Sequence, residues 1–435
     1  MKTHDIIGIG IGPSNLSTAA LLYPHKKDLN YLFFDNKEEF RWHPGMMFPD
    51  VTIQVSILKD LVSMVDPTSP FSFLNFLKKT GRLYMFAAKG NFDNVKRKEF
   101  EQYFKWCADS MEELLFSSTV EEVTYEDDLF QITVNDKKYQ SKNLLIGAGL
   151  TAKTPKCCKP YLGEKVFHNT QFLTTSVDYS GQQITVVGGG QSGAEVVLHL
   201  LNDKNVAPEN IHWCSSSYNL LPMENTPFSN ELYSPNYSEY FFDLQKELKG
   251  ELLNLQKYTS DGISETTLNQ IYELLYNNKF LLQKADINMY MNTRLNGMQK
   301  NSDGNFDLQL NQKDDNNRTI HLKSDIVVLA TGLEYKLPKF LYPIMDKLIT
   351  TNGKFDTNED YSIKTNESLK GGIYLHNGSR HVRGVADPNL SLLAWRSAKI
   401  INSIAKNNFY DTLVDESLIN WNLSKLKNKK HEITI

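Results

Sequence analysis

Two glycine-rich turns are the residues best suited to do chemistry. The first, Gly8-Ile9-Gly10-Ile11-Gly12-Pro13-Ser14, follows an apolar run, and its glycines let the backbone bend tightly and approach a pyrophosphate at a helix N-terminus. Pro13 stands where the usual third glycine would be. Asp35, about twenty residues further on, can accept hydrogen bonds from ribose hydroxyls, as the dinucleotide fingerprint requires. The second turn, Gly188-Gly189-Gly190-Gln191-Ser192-Gly193, is a full match. The strand after it, Ile211-His212-Trp213-Cys214, ends without an acid, so the acceptor for an NAD ribose is missing. Ser215, Ser216 and Ser217 come next, and their hydroxyls can donate to a 2′-phosphate, which favours NADPH over NADH despite the lack of an arginine. Two such turns about 180 residues apart imply one site for FAD and one for a reducing nicotinamide.

Each turn needs a strand before it and a helix behind it. Residues 5–10, 15–23 and 31–35 read as strand, helix and strand, the opening βαβ unit of a Rossmann fold. Residues 183–187, 194–201 and 211–214 repeat that plan. Between them, helical spacing runs over 71–77 and 98–111, and strands over 131–134 and 143–150. Residues 220–282 carry Pro222, Pro227 and Pro235 and read as an irregular, then helical, substrate-side insert. The polar run 311–317 reads as a solvated hairpin loop without chemistry. Residues 325–330 form a buried strand ending in Thr331-Gly332, and 390–404 an amphipathic helix. The expected fold is α/β: two Rossmann-like dinucleotide-binding domains, for FAD and NADPH, with a small mostly helical insert. The expected boundaries are 1–165 for the first segment of the FAD-binding domain, 166–320 for the NADPH-binding domain with its insert at about 220–282, and 321–435 for the second FAD segment.

Composition narrows the classes. With 435 residues, 40% hydrophobic and 23% charged, the chain is neither fibrous nor wholly disordered. Its 47 basic against 51 acidic residues leave a net charge of −4, so no basic surplus exists for a nucleic-acid backbone. The four cysteines, Cys107, Cys157, Cys158 and Cys214, form neither a disulfide framework nor metal-ligand spacing, and no metal is expected. A flavin disulfide reductase would share the two turns but needs a redox cysteine pair of the CxxC type, which is missing. No run reaches the roughly 18 apolar residues of a membrane span, and the N-terminus lacks the pattern of a signal peptide. A cytoplasmic flavin enzyme that passes electrons to oxygen or another acceptor is expected.

Further motifs narrow the family. They are Gly8 through Ser17; Phe40-Arg41-Trp42-His43-Pro44-Gly45-Met46-Met47; Gln54 through Leu58-Lys59-Asp60-Leu61-Val62; Asp66 through Asn75; Val187 through Glu195; Asp325 through Gly332; and Leu390-Ser391-Leu392-Leu393-Ala394-Trp395-Arg396-Ser397-Ala398. Across nearly the whole chain these resemble the flavin-dependent N-hydroxylating monooxygenases that hydroxylate lysine, ornithine and related amines in siderophore biosynthesis. Trp42 to Met46 and Thr259-Ser260-Asp261-Gly262-Ile263 look most like the lysine N6-hydroxylase branch. Pro13 is typical of this family's FAD turn. Leu333, where tyrosine is usual, and Ser215 to Ser217, where basic residues are expected, depart from the pattern, and the serines put the cofactor preference in question.

The resemblance implies that NADPH reduces FAD, that oxygen forms a C4a-hydroperoxyflavin, and that a neutral amine attacks it, with no catalytic side chain assigned. It places Lys59 on the carboxylate of an amino-acid substrate and Gln54 between flavin, nicotinamide and substrate. Asn230 would contact nicotinamide and substrate, and Asp261 would lie on the substrate side. Trp42 and His43 would shape the flavin pocket, while Thr331, Gly332, Leu390 and Ser391 would touch FAD through backbone groups. Taken singly, each has an ordinary alternative: a surface lysine, a turn asparagine, an Asp-Gly turn, core packing. L-Lysine leads as substrate, followed by L-ornithine and then by cadaverine, putrescine or histamine, which lack a carboxylate for Lys59. A homotetramer is expected by resemblance alone. A carbon- or sulfur-oxygenating flavin monooxygenase and a nucleotide-binding redox sensor are the rival readings.

Overall fold

Runs of consecutive apolar residues form strands here because helices and loops cover both faces of a parallel sheet. The computed structural model describes residues 2–90, 95–202, 208–282, 287–315, 318–366, 369–413 and 417–421. In the first sheet β1 (Thr3–Ile9) is central, with Ile6 and Ile7 fully buried. It pairs in parallel with β2 (Tyr31–Phe34), beyond which lies β3 (Leu114–Leu115). The antiparallel strands β4 (Val120–Glu126), β5 (Leu129–Val134) and β6 (Lys137–Ile146) extend the other side, β6 lying parallel to β1. The helices Pro13–Leu22, Phe73–Lys79, Arg97–Asp109 and Leu393–Ala405 cover one face, and Phe73, Phe100, Tyr103 and Phe104 make tilted and edge-to-face ring contacts beneath them.

From the first sheet the chain crosses by β7 (Thr151–Ala152) into a second, all-parallel sheet. It contains β8 (Val166–His168), β9 (Gln183–Val187), β10 (Asn210–Cys214), β11 (Ile287–Tyr290) and, after an excursion, β15 (Ile326–Leu329), in the order β11-β10-β9-β15-β8. The excursion is an antiparallel sheet of β12 (Thr293–Lys300), β13 (Phe306–Gln312) and β14 (Thr319–Ser324), which shares a core with one face of the second sheet. β16 (Leu333–Glu334) pairs with β7 as the chain crosses back, and Ile373–Leu375 rejoins the first sheet beside β6.

Two placements differ from those read off the sequence. The strand expected to open the final FAD segment at 321 is hydrogen-bonded between β9 and β8 of the second sheet. All four of its residues are buried, which only an interior position supplies. The region 220–282 also divides. Pro235–Asp243 buries Tyr237 and Phe241 in the core of the first sheet, whereas Glu265–Tyr276 buries Ile271 against the second. The latter helix connects β10 to the parallel β11, the crossover such a pair requires. The strand read over 143–150 stops at Ile146. In the polar run, β13 continues through Gln312 and a turn follows at 313–315, while 316 and 317 lie outside the described residues. Among the described residues no helix is long and apolar enough to cross a membrane, and no cluster could hold a metal ion.

Candidate active site: a cleft between two dinucleotide turns

The first turn leaves β1 and enters the helix Pro13–Leu22, with Gly12 as N-cap and Pro13 in the first turn, where a missing N–H costs nothing. No side chain caps this helix, so its first N–H groups remain available for an anion. Gly10 has φ +89°, and a Cβ there would lie 2.5 Å from the Gly147 carbonyl oxygen. Gly8 packs inside the sheet, where a Cβ would meet the Phe33 ring. At Gly12, by contrast, a Cβ would meet nothing within 4 Å. The open space is a cavity of about 650 Å³ that Gly10, Gly12, Pro13, Ser14 and Asp35 line at one end. The buried Asp35 carboxylate accepts hydrogen bonds from Ile11 N at 2.7 Å and Lys37 N at 2.9 Å. It therefore braces the turn, besides offering its remaining lone pairs to a ribose.

Trp42, His43, Leu333, Asn389 and Leu390 line this cavity and also a second one of about 340 Å³. The second adds Gln54, Arg97, His168, Ser192 and Gly332, so the two turns open onto connected space. The Trp42 ring makes an edge contact with Phe104 at 5.1 Å, and the Trp42 backbone N–H donates to Glu101 Oε1 at 3.1 Å. His43 has φ +51°, a left-handed conformation costly for a residue with a side chain. The residue is exposed on the cleft side. Desolvation by the surrounding protein, with the charges of Arg97 and Lys37, lowers its pKa to about 4.

Lys59, in the 54–62 segment, lines neither cavity; its Nζ donates to Ser391 Oγ at 3.2 Å, one residue beyond the cavity-lining Leu390. Ser391 in turn donates to Asn389 Oδ1 at 2.8 Å. Burial alone pushes the Lys59 pKa down; among the described residues no carboxylate pairs with it. Asp60, buried beside it, accepts from the backbone N–H groups of Val62, Ser63 and Phe73 and pins the segment to the helix Phe73–Lys79.

The second turn is tight for internal reasons. Gly188 has φ +138°, with a Cβ position 1.9 Å from the Ala330 carbonyl oxygen, and a Cβ on Gly193 would strike Gly188 O. Gly190 is open except for Asp261 O at 3.7 Å. Gln191 is engaged internally, accepting from Ser264 N and donating to Glu195 and Thr267. Thr331 donates to Lys153 O and lines neither cavity, while the Gly332 carbonyl accepts from His168 Nε2 at 3.0 Å.

Ser215, Asn230 and Asp261 are among the expected site residues that, like Thr331, Lys59 and Ser391, line neither cavity. Ser215 is 2% exposed and accepts from Ser217 N, packing where a Gly189 Cβ would go, so it is closed to a 2′-phosphate. Asn230 is exposed and donates to Asn225, and Asp261 lies 3.7 Å from Arg380; neither lines either of these two cavities. Conversely, Arg97, which forms a two-pronged ion pair with Glu195 at 3.0 and 3.3 Å, had no local signal because its partner is 98 residues away. His168, 164 residues from the Gly332 carbonyl it meets, was missed for the same reason, and Asn389, though it pairs with Ser391 only two residues away, was not singled out either.

The family model for L-lysine 6-monooxygenase/L-ornithine 5-monooxygenase matches residues 2–335. The chain belongs to this family. It is a flavin-dependent N-hydroxylating monooxygenase that uses FAD and NADPH. It is 36% identical over 425 residues to the L-lysine N6-monooxygenase of Escherichia coli, covering 97% of this chain and 99% of that one. It is 35% identical to the putrescine N-hydroxylase of Acinetobacter baumannii, over 94% of this chain and 91% of that one. The FAD-bound cadaverine monooxygenase of the desferrioxamine pathway from Erwinia amylovora superposes with a TM-score of 0.89 at 30% identity, covering 96% and 98% of the two chains.

The uncapped helix and the open space at Gly12 fit the diphosphate of FAD, which gives a direct test in this monooxygenase. Gly12 has φ −89° and ψ 176°, open to alanine. Gly12→Ala is expected to change stability by less than about 0.5 kcal/mol, yet to weaken FAD retention about tenfold or more by obstructing the backbone's approach to the pyrophosphate. Flavin absorbance per protein and a melting curve separate the two effects. Full flavin retention would place the diphosphate elsewhere.

Proposed function

We propose that this monooxygenase hydroxylates the terminal amine of L-lysine for hydroxamate siderophore assembly, with Lys59 holding the substrate carboxylate. The supporting observation is the partly buried Lys59 ammonium, which donates to Ser391 and has no carboxylate partner among the described residues. A buried cation without an anion is costly, and an incoming carboxylate relieves that cost. A diamine would instead bring a second ammonium near Lys59, a repulsion of about 4 kcal/mol at 4 Å and an effective dielectric of 20.

Gly10 to Ser14, Asp35 and Trp42 would hold FAD, which, reduced by NADPH, would supply the activated oxygen. The protein's own part is to bind and orient the amine and to exclude water. A lysine side chain has a pKa of about 10.4 and must lose a proton before it can act as a nucleophile, which a desolvated cleft favours. His43, lowered to about 4, is too weak a base for that proton. Gln54, which opens into the second cavity, is placed to hydrogen-bond substrate or nicotinamide.

The test is hydroxylamine formation by FAD-loaded protein with NADPH and oxygen, across L-lysine, L-ornithine, cadaverine and putrescine, with peroxide measured alongside. L-Lysine is expected to give the highest kcat/KM and the least peroxide. A diamine reading follows from the putrescine and cadaverine relatives. Cadaverine turned over as well as lysine would replace the amino-acid reading with it.

A further inference from the structure

Residues immediately after the second strand of a dinucleotide-binding unit meet the adenosine ribose, where NADP is told from NAD. Here that strand is β10, and Ser215, Ser216 and Ser217 come directly after it. No cation stands among them, and Ser215 is buried. The tertiary structure brings one from the β13–β14 hairpin. Lys313, just past the end of β13, lies 97 residues from Ser216 in sequence, and its Nζ donates to Ser216 O at 2.7 Å. The placement is stitched by backbone bonds: Lys313 N donates to Asn292 O, Asn292 N to Ser217 O, and Thr293 N to Ser215 O. Asn292, at φ +54°, is 3% exposed, and neither atom of its side-chain amide has a partner. The neighbouring Asp315 is taken up by Arg318 at 3.7 Å. Among the described residues no carboxylate pairs with Lys313.

We infer that Lys313 is the cation that receives the 2′-phosphate of NADPH, supplied by a distant hairpin in place of the basic residue missing after β10. This inference rests on the monooxygenase reading and its use of NADPH. A lysine on this rim acts as a point charge toward the phosphate dianion, and the exposed Ser216 hydroxyl and the Ser217 hydroxyl stand beside it as donors. Lys313 makes no contact with either cavity of the cleft, so its role is in binding and selecting the nucleotide, and the chemical step is independent of it.

The experiment is equilibrium titration of the oxidised, FAD-loaded enzyme with NADPH, NADH, 2′,5′-ADP and 5′-AMP, for the wild type, Lys313→Ala and Lys313→Arg. Lys313→Ala is expected to raise the Kd for NADPH and 2′,5′-ADP about tenfold, the effect of losing a hydrogen bond to a charged group. The Kd for NADH and 5′-AMP should stay unchanged, and Lys313→Arg should restore most of the phosphate preference. The NADPH affinity of the wild type should also fall more steeply with salt than that of the alanine variant. Equal shifts for phosphorylated and unphosphorylated nucleotides, or no shift at all, would overturn the inference. Hydroxylamine formation at saturating NADPH, measured on the same samples, reports on the monooxygenase reading separately: its loss in the wild type would sink that reading, whereas its survival beside an unselective titration would sink only the role of Lys313.

Discussion

Lys59→Met is expected to lower kcat/KM for L-lysine about a hundredfold or more, in line with the about 2–5 kcal/mol lost when one member of a buried charge pair is removed. NADPH oxidation should continue, with its electrons diverted to peroxide, because Lys59 touches neither dinucleotide turn. Cadaverine turnover should hold or rise, since the methionine removes a like charge. Stability supplies an independent sign. Burial lowers the Lys59 pKa, so its charged form at neutral pH is disfavoured by the fold. Stability associated with this group is present at high pH and is lost as pH falls through the depressed pKa. The methionine variant should therefore melt at the same temperature as the wild type or higher, while losing activity. A parallel fall in lysine and cadaverine turnover, or a collapse of the fold, would remove the carboxylate anchor from the mechanism.

Arg396→Met should have the largest effect on the holoprotein. Its guanidinium is fully buried, pairs with the fully buried Asp387 at 3.2 Å and also donates to the Asp387 carbonyl. It further donates to Asn377 Oδ1 at 2.9 Å and Ser14 Oγ at 3.3 Å, both residues of the first cavity. Removing it strands a buried carboxylate, at a cost of about 3–5 kcal/mol, and frees Ser14 at the start of the helix that faces the cofactor. Loss of flavin together with a lower Tm is expected. Adding Asp387→Asn should recover part of the stability, since the amide oxygen still accepts from Ser379 N, while FAD retention stays impaired. A single variant that keeps both its flavin and its melting temperature would show that Arg396 supports neither.

Much of the scaffold was legible in the chain. The strand–turn–helix units around Gly10 and Gly190, the acid at Asp35 and the covering helices follow from short-range rules: backbone sterics at glycine and proline, and the period of apolar residues. The resemblance added Gln54, which lines the second cavity, and Lys59, which lines neither cavity but donates to Ser391, next to the cavity-lining Leu390. Expectations failed where the answer depended on which distant faces bury each other. Ile326–Leu329 reads as a buried strand in any sheet, and only its pairing with β8 and β9 assigns it to the second. Residues 265–276 read as part of an insert, yet Ile271 buries against the second sheet.

The sequence by itself determined the two dinucleotide-binding units, the lack of a redox cysteine pair and the monooxygenase family, because each is written in neighbouring residues whose chemistry is local. The tertiary structure alone decided who meets whom in the cleft. Ser391 stands 332 residues from the Lys59 it receives, and Glu195 stands 98 from Arg97. It also left Asn230 and Asp261 outside the lining of these two cavities and brought Lys313 to the serines after β10. Such contacts carry no local pattern. They form only when separate segments bury their apolar faces and so carry their polar side chains together.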